Sequence, residues 1–365
     1  MFLYVYDKTI TLIGLVEKIT SLIWTERKYS FGEFKMLVTA DSESIEMLQP
    51  GRLIVRDDDQ KAIAGEILYR HIKKSVNGSE TLEVTGKLLV HWLGNRLRLN
   101  ASAETEKPQA LMRNAVYQNA ITAGAGSERG FPLLILGEAA EQRTQSAIYY
   151  KSEEDQTVLA VCEEIGEAED TGFYIKIDIP TKQFKFETYT GTDHTQTSNA
   201  PCIFSVEFEN VLEQEFTQSV EDEKNVAYVF GEEKSTATRP VRVGSISGHA
   251  RKEVYINASG VKQETMTDAQ YENALQTNGL AALQQCKEKL NFFSKINGEE
   301  GGFRYGVDYT LGDKVTCVNT VWGITVDSVI TEVQTTYETG QKTVYLTFGE
   351  ALPTLLKQLK NLKKR

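Results

Sequence analysis

Two stretches of this chain carry the same β rhythm. Gly51 to Gly86 reads GRLIVRDDDQKAIAGEILYRHIKKSVNGSETLEVTG, and Gly312 to Gly349 reads GDKVTCVNTVWGITVDSVITEVQTTYETGQKTVYLTFG. They share little residue by residue, but they are punctuated alike. Each opens on a turn glycine and enters a short β-branched run, Leu53-Ile54-Val55 or Val315-Thr316-Cys317-Val318. A polar turn follows, then a second run, a hairpin turn holding a glycine, and a third run. Runs of this kind bounded by Gly, Asn and Asp are the strand-and-hairpin pattern. Asn77-Gly78 is a strong two-residue hairpin turn, because both central positions need positive φ. Any two meanders of an all-β protein share part of this rhythm, so the rhythm alone leaves duplication open.

Length and composition set the outer limits. A chain of 365 residues has room for about two or three domains with real cores. Its 41% hydrophobic and 25% charged content is ordinary for globular proteins. The net charge of −11 argues against a dedicated nucleic-acid binder, which carries a basic face. Cys162, Cys202, Cys286 and Cys317 lie far apart with no CxxC pair, which fits buried thiols in a reducing compartment better than a disulfide framework or a zinc site. The N-terminus MFLYVYDKTI lacks the charge-then-apolar order of a signal peptide. No run reaches the roughly twenty apolar residues of a membrane span. Folding in a cytoplasm is expected.

Along the chain, residues 1–100 are strand-rich, with about seven strands, enough for a small barrel or sandwich. Residues 101–200 change character. Lys107 to Thr122 has helical spacing with Pro108 near its start, and a second helix opens at Ser152-Glu153-Glu154-Asp155 with acidic residues at its N-terminal end. A hairpin, GFYIKIDIPTKQFKFETY, completes an α+β unit. Strands return over 201–245 and again over 303–352, and together they read as a second barrel. The 246–302 insertion between them holds the longest helical segment, Thr267 to Phe293, where Gly279 suggests a kink or break. Residues 353–365 read as a basic tail. The expected fold class is mainly β with α+β insertions: two tube-like antiparallel β-barrel domains plus smaller α/β domains.

Catalytic chemistry is hard to find. His71, His91, His194 and His249 are scattered, with no HExxH or His-x-His. Asp57-Asp58-Asp59 sits in a hairpin turn, where consecutive carboxylates point apart, and reads as a solvated turn rather than a cation site. The glycine-rich stretch 124–130 follows no strand and lacks P-loop or dinucleotide spacing, so it reads as a loop. No GxSxG elbow occurs, and abundant carboxylates in an acidic chain do not make a glycosidase pair. Trp24, Trp92 and Trp322 read as core anchors. No residue is assigned a catalytic, cofactor-binding or metal-ligating role, and no cofactor is expected.

One family does resemble this chain. SLIWTERKYSFGEFKMLV over 21–38, with its S-x-x-W and later G-x-F, resembles the opening of siphophage and prophage tail-tip (baseplate) hub proteins. The resemblance continues through 65–97, YTGTDHT (189–195), CIFSVEFENV (202–211), KNVAYVFGEE (224–233) and RKEVYINA (251–258), and ends at DYTLGDKVTCV (308–318). Each piece alone is unspecific; their order and completeness make the set specific. The resemblance implies a structural hub with two tube-like β-barrels per chain, forming a homotrimeric ring at the end of the tail tube. Implied partners are the tail-tube or distal tail protein ring and a tip, spike, fibre or tail lysin protein. Genomic DNA would pass through the lumen without specific binding, which suits an acidic chain. The implied location is the virion tail tip, assembled in the bacterial cytoplasm. Two rivals remain. A tail-associated cell-wall hydrolase needs a paired acid and base, which no spacing singles out. A receptor- or carbohydrate-binding protein favours aromatic clusters on loops, whereas the aromatics here lie mostly inside strand runs.

Overall fold

The computed structural model describes residues 1–59, 61–76, 78, 80–99, 103–140, 145–151, 156–232, 240–263, 266–296, 302–338 and 340–349. Asn77, the 152–155 helix opening and the 353–365 tail lie outside the described residues. The chain divides into two compact units. One spans Met1–Glu215 with Phe292–Ala351, and the other is built on Phe216–Asn291.

The first unit begins with β1 (Leu3–Tyr6), β2 (Leu12–Val16), β3 (Ile19–Arg27) and β4 (Glu33–Thr39). A short helix, α1 (Ser42–Met47), follows, capped by the Asp41 carboxylate accepting from the Ser44 amide. Next come β5 (Leu53–Arg56), β6 (Gly65–Lys74) and β7 (Glu80–Leu88). These strands lie in the order β3-β4-β7-β6-β5-β1-β2, all antiparallel. Alternation sends Phe34, Met36 and Val38 of β4, with Leu82 and Val84 of β7, to one buried face beside Trp24. Gly86 makes room there: a Cβ on it would sit 2.5 Å from the Phe34 ring, which stacks on Trp24 at 5.5 Å.

The α+β part follows a 3-10 turn, Leu89–Asn95. It contains β8 (Ala103–Glu106), α2 (Pro108–Ala120), α3 (Thr122–Ala125), β9 (Leu134–Ala140), β10 (Ile148–Lys151), α4 (Val158–Glu169), β11 (Gly172–Asp178) and β12 (Gln183–Tyr189). Proline opens α2, where its missing N–H costs nothing, and Thr157 caps α4 by accepting from the Ala160 amide. The helices and the β11-β12-β9 sheet share a core with Leu53 and Val55, while Ile54 between them faces the Trp24 core. Burial on both faces is why β5 is an unbroken apolar run rather than an alternating one.

The remaining strands are β13 (Asp193–His194), β14 (Ile203–Ser205), β15 (Val211–Ser219), β16 (Val226–Phe230), β17 (Val241–Val243), β18 (Glu253–Asn257), β19 (Lys289–Ile296), β20 (Lys314–Asn319), β21 (Ile324–Glu338) and β22 (Gln341–Gly349). β16 and β17, expected in the second barrel, instead pair with β18 in the separate sheet β17-β16-β18. On that sheet lies α5 (Asp268–Gln285), started by a Thr267–Gln270 capping box. Gly279 does not break α5, which runs on through it. A Cβ there would meet the Val243 and Val229 methyls at 2.6 and 2.7 Å, so glycine lets helix and sheet approach. α5 stops at Gln285, before Phe293, because Lys289 onward alternates as β19, with Phe292, Ser294 and Ile296 inward.

The main sheet runs β15-β19-β22-β21-β3-β4-β7-β6-β5-β1-β2, with β20 on the flank of β21 and β13 and β14 parallel to β20. Apart from β16 and β17, the strands expected in the two barrels belong to one 14-stranded sheet, which also takes in β19 from the expected 246–302 insertion. The joint exists because β21 is long. Its first part pairs with β20, and its last seven residues, Glu332 to Glu338, pair with Arg27 to Ser21 of β3.

Candidate assembly interface

The stretches Gly51–Gly86 and Gly312–Gly349 match in the bonds and register of their strands. Gly51 and Gly312 both hold positive φ, +85° and +99°. The Gly51 amide donates to Ile67 O at 2.7 Å, and the Ile67 amide to Arg52 O at 2.9 Å. The Gly312 amide donates to Ile330 O at 2.9 Å, and the Ile330 amide to Asp313 O at 2.9 Å. Leu53 faces Glu66 and Ile54 faces Gly65; in the same frame Lys314 faces Val329 and Val315 faces Ser328. Both second strands break register one residue past the isoleucine, at Ile67/Tyr69 and Ile330/Glu332. Both hairpins then turn on a positive-φ glycine, Gly78 (+83°) and Gly340 (+84°).

The order around each copy also matches. The first module reads β3-β4-β7-β6-β5 and the second β15-β19-β22-β21-β20. Side chains bridge first strand to last in both. Arg56 of β5 lies 3.6 Å from Glu26 of β3, and Asn319 of β20 donates to Gln214 of β15 at 3.0 Å. The bulge carries different residues in the two copies. Gly86 pairs with Ile67, leaving room for Phe34; its counterpart Phe348 pairs with Ile330 and fills the space itself, against Phe204 at 5.4 Å.

Charged groups cluster where β21 meets β3. Arg27 reaches Glu332 across the joint at 2.6 Å and Glu33 at 2.9 Å. Buried Arg56 lies over the Trp24 ring at 5.3 Å and bonds Asp58 at 3.0 Å. Asp58 also accepts from Lys342 at 2.6 Å and from the Tyr337 hydroxyl. Burial opposes the Asp58 charge, but Arg56, Lys342 and Tyr337 bring its pKa down to about 2. Burial pushes the Glu26 carboxyl up, with Arg56 working against it. The Tyr305 hydroxyl donates to Glu26 at 3.3 Å. Asp58 is thus an exposed turn residue, as expected, and is also ion-paired across the joint. Asp59 is the turn former, accepting from the Lys61 and Ile63 amides.

Each of the two modules leaves one strand edge open among the described residues, apart from the outer edge of β2 at the far end of the sheet path. β6 meets β5 only at Glu66 and Gly65, and the outer edge of Tyr69–Lys74 has no strand partner among the described residues. Tyr69 and Ile72 there are 53% and 44% exposed, and Leu68 at the bulge beside them is 44% exposed. β15 ends the sheet path, with β19 on one side and no strand on the other among the described residues. Leu212 on it is 54% exposed.

The other candidate groups are dispersed. His71 is exposed on β6, and His249 sits in an exposed 3-10 turn. His91 contacts Leu88 O at 3.1 Å and Glu66 at 3.2 Å, while His194 contacts Ala200 O at 2.8 Å. Glu66 is held at about 2 against its burial by His91, Lys8 and Trp92. Trp24 and Trp92 are buried as expected. Trp322 is not a core anchor: it lies in the β20–β21 turn at 47% exposure. Cys162, Cys202 and Cys317 are buried, and Cys286 is half-buried at the end of α5. Among the described residues no three His, Cys, Asp or Glu side chains cluster in a metal-holding arrangement. No described helix is long and apolar enough to cross a membrane.

A family model described as siphovirus ReqiPepy6 Gp37-like protein matches residues 2–350. Three solved structures share the fold over nearly the whole chain. The 43 kDa tail protein of prophage MuSo2 from Shewanella oneidensis is 9% identical, with 95% of this chain and 98% of that one covered, at a TM-score of 0.61. A tail protein from Neisseria meningitidis is 11% identical, with 96% of each chain covered, at 0.60. Prophage tail protein gp18 from Listeria monocytogenes is 11% identical, with 100% and 99% covered, at 0.58. At these identities the likeness shows the fold alone. No curated protein matches the sequence.

Proposed function

The chain belongs to the siphovirus ReqiPepy6 Gp37-like protein family, and on that premise we propose that it is a structural hub at the tip of a phage tail. Three copies form a ring that caps the tail tube and joins it to the tip proteins. The observation that carries this reading is the register-matched duplication, with the two modules joined edge to edge through β21 and β3. That joint is heterologous: a β6-type edge of one module meets a β3-type edge of the other. A heterologous contact repeated head to tail closes into a ring when the rotation permits. Three chains bring six like modules, so a three-fold ring presents a near-six-fold face to a six-fold tube. The proposed role is structural, and the charged groups at the joint serve it by engaging one another. The acidic balance suits a lumen through which DNA slides without being held. Assembly in the host cytoplasm and residence at the virion tail tip follow from this role.

Mass photometry of the protein, alone and mixed with its tail-tube neighbour, tests the reading. A species of three chains that binds the tube ring is the expected result. A chain that stays monomeric or dimeric even with the neighbour present would contradict it.

A further inference from the structure

The chain uses each kind of module edge once and leaves each kind open once. The β6-type edge of the second module, Glu332 to Glu338 of β21, is filled by β3 of the first. The β6-type edge of the first module, Tyr69 to Lys74, is open, and so is the β3-type edge of the second, on β15. From this we infer that β6 of one copy pairs antiparallel with β15 of the next, repeating between chains the β21–β3 ladder that exists within one. The partner for this surface is thus a second copy of the same chain.

Charge favours this pairing over the two homotypic ones. The open part of β6 carries Arg70, His71, Lys73 and Lys74, whereas β15 carries Glu213 and Glu215. Two β6 edges would bring like charges together, as would two β15 edges, and facing like charges are destabilising. The unlike pair brings basic against acidic, as Arg27 and Glu332 already do across the internal joint at 2.6 Å. Apolar surface is present on both sides, in Tyr69 and Ile72 of β6 and Leu212 of β15, all exposed in the single chain. The register on β6 follows from the duplication. Tyr69 stands where Glu332 stands and Ile72 where Thr335 stands, since Tyr69 pairs with Thr85 and Ile72 with Leu82 as Glu332 pairs with Thr347 and Thr335 with Val344. The outward amides of 69–74 are therefore in phase to meet a strand as those of 332–338 meet β3. Lysines on an open edge also keep the single chain from aggregating before its partner arrives.

This inference deepens the ring reading and rests on it, and hydrogen exchange on the assembled protein separates the two. The expected result is slowed exchange on assembly at the outward amides of 69–74 and at 211–215 together. Reversing the charges on one edge, with K73E/K74E or with E213K/E215K, weakens assembly at least tenfold, and combining the four substitutions recovers it. A three-chain ring in which both segments exchange as fast as in the free chain would overturn the pairing and leave the ring reading standing. Failure to form any ring would overturn both.

Discussion

The two copies of the β module share a backbone frame and differ in what fills it. Gly51 and Gly312, and Ile67 and Ile330, hold the same positions and the same bonds, and Gly78 and Gly340 both turn their hairpins at positive φ, though the first loop leaves five residues between the last paired residues and the second two. Around that frame the two copies place their charges at different positions. Arg56 of β5 and Asp58 in the turn after it have Cys317 and Asn319 as their counterparts on β20. The first copy also has Phe34 folded over Gly86, where the second has Phe348. Backbone bonds and turn glycines thus set the module, while side chains adapt each copy to its neighbours. In the first copy the charges serve the joint, since Asp58 is where Lys342 and Tyr337 of the second copy land.

The comparison can be broken most forcefully at Arg56. An Arg56→Ala change leaves Glu26 and Asp58 without their buried cation and should cost about 4 kcal/mol in urea unfolding. Cys317→Ala, at the matching position, should cost well under half of that. Equal losses would mean that the charge difference between the copies is without consequence. The frame itself is tested by Ile67→Ala and Ile330→Ala, both wholly buried at the register break. Each should cost about 3 kcal/mol, and the two should agree within about 1 kcal/mol. A large disagreement would show that the copies are alike in outline only.

Acid should distinguish the copies by a smaller amount. The folded-state pKa of Asp58 is depressed to about 2, so its contribution is complete above the ordinary carboxylate value and is lost as pH falls through about 2. Comparing wild type with Asp58→Asn across that window should show an advantage for wild type, of at most about 2 kcal/mol, that disappears at the acid end. An advantage that persists there would mean Asp58 acts by packing and not by charge. The smallest effect belongs to Arg27→Ala. It removes a partly exposed pair with Glu332 and should cost less than about 1 kcal/mol.

Local features of this fold were legible in the sequence, and long-range partners were not. The turn glycines and β-branched runs of 51–86 and 312–349 mark hairpins because they act within a few residues of themselves. Proline at the start of α2 and the burial of Trp24 and Trp92 were readable for the same reason. The β21–β3 joint was not, because its register is set by tertiary packing between strands some three hundred positions apart. The runs of β16 and β17 look like any other strands, and nothing in them names β18 as their partner. The turn at Asp58 was readable but its pairing across the joint was not, because Arg56 alone is near it in sequence, whereas Lys342 and Tyr337 arrive from the other copy. Trp322 looked like a core residue by type, but it sits beside Gly323 at a turn, which puts its ring outside.

The account stands on the two copies being equivalent building blocks of one ring. Electron-microscopy averages of the protein assembled with its tail-tube neighbour test this most directly. The account predicts a three-fold ring with six like lobes, evenly spaced around an open channel. A ring with three lobes, with the second copy of each chain lying outside it, would contradict the equivalence.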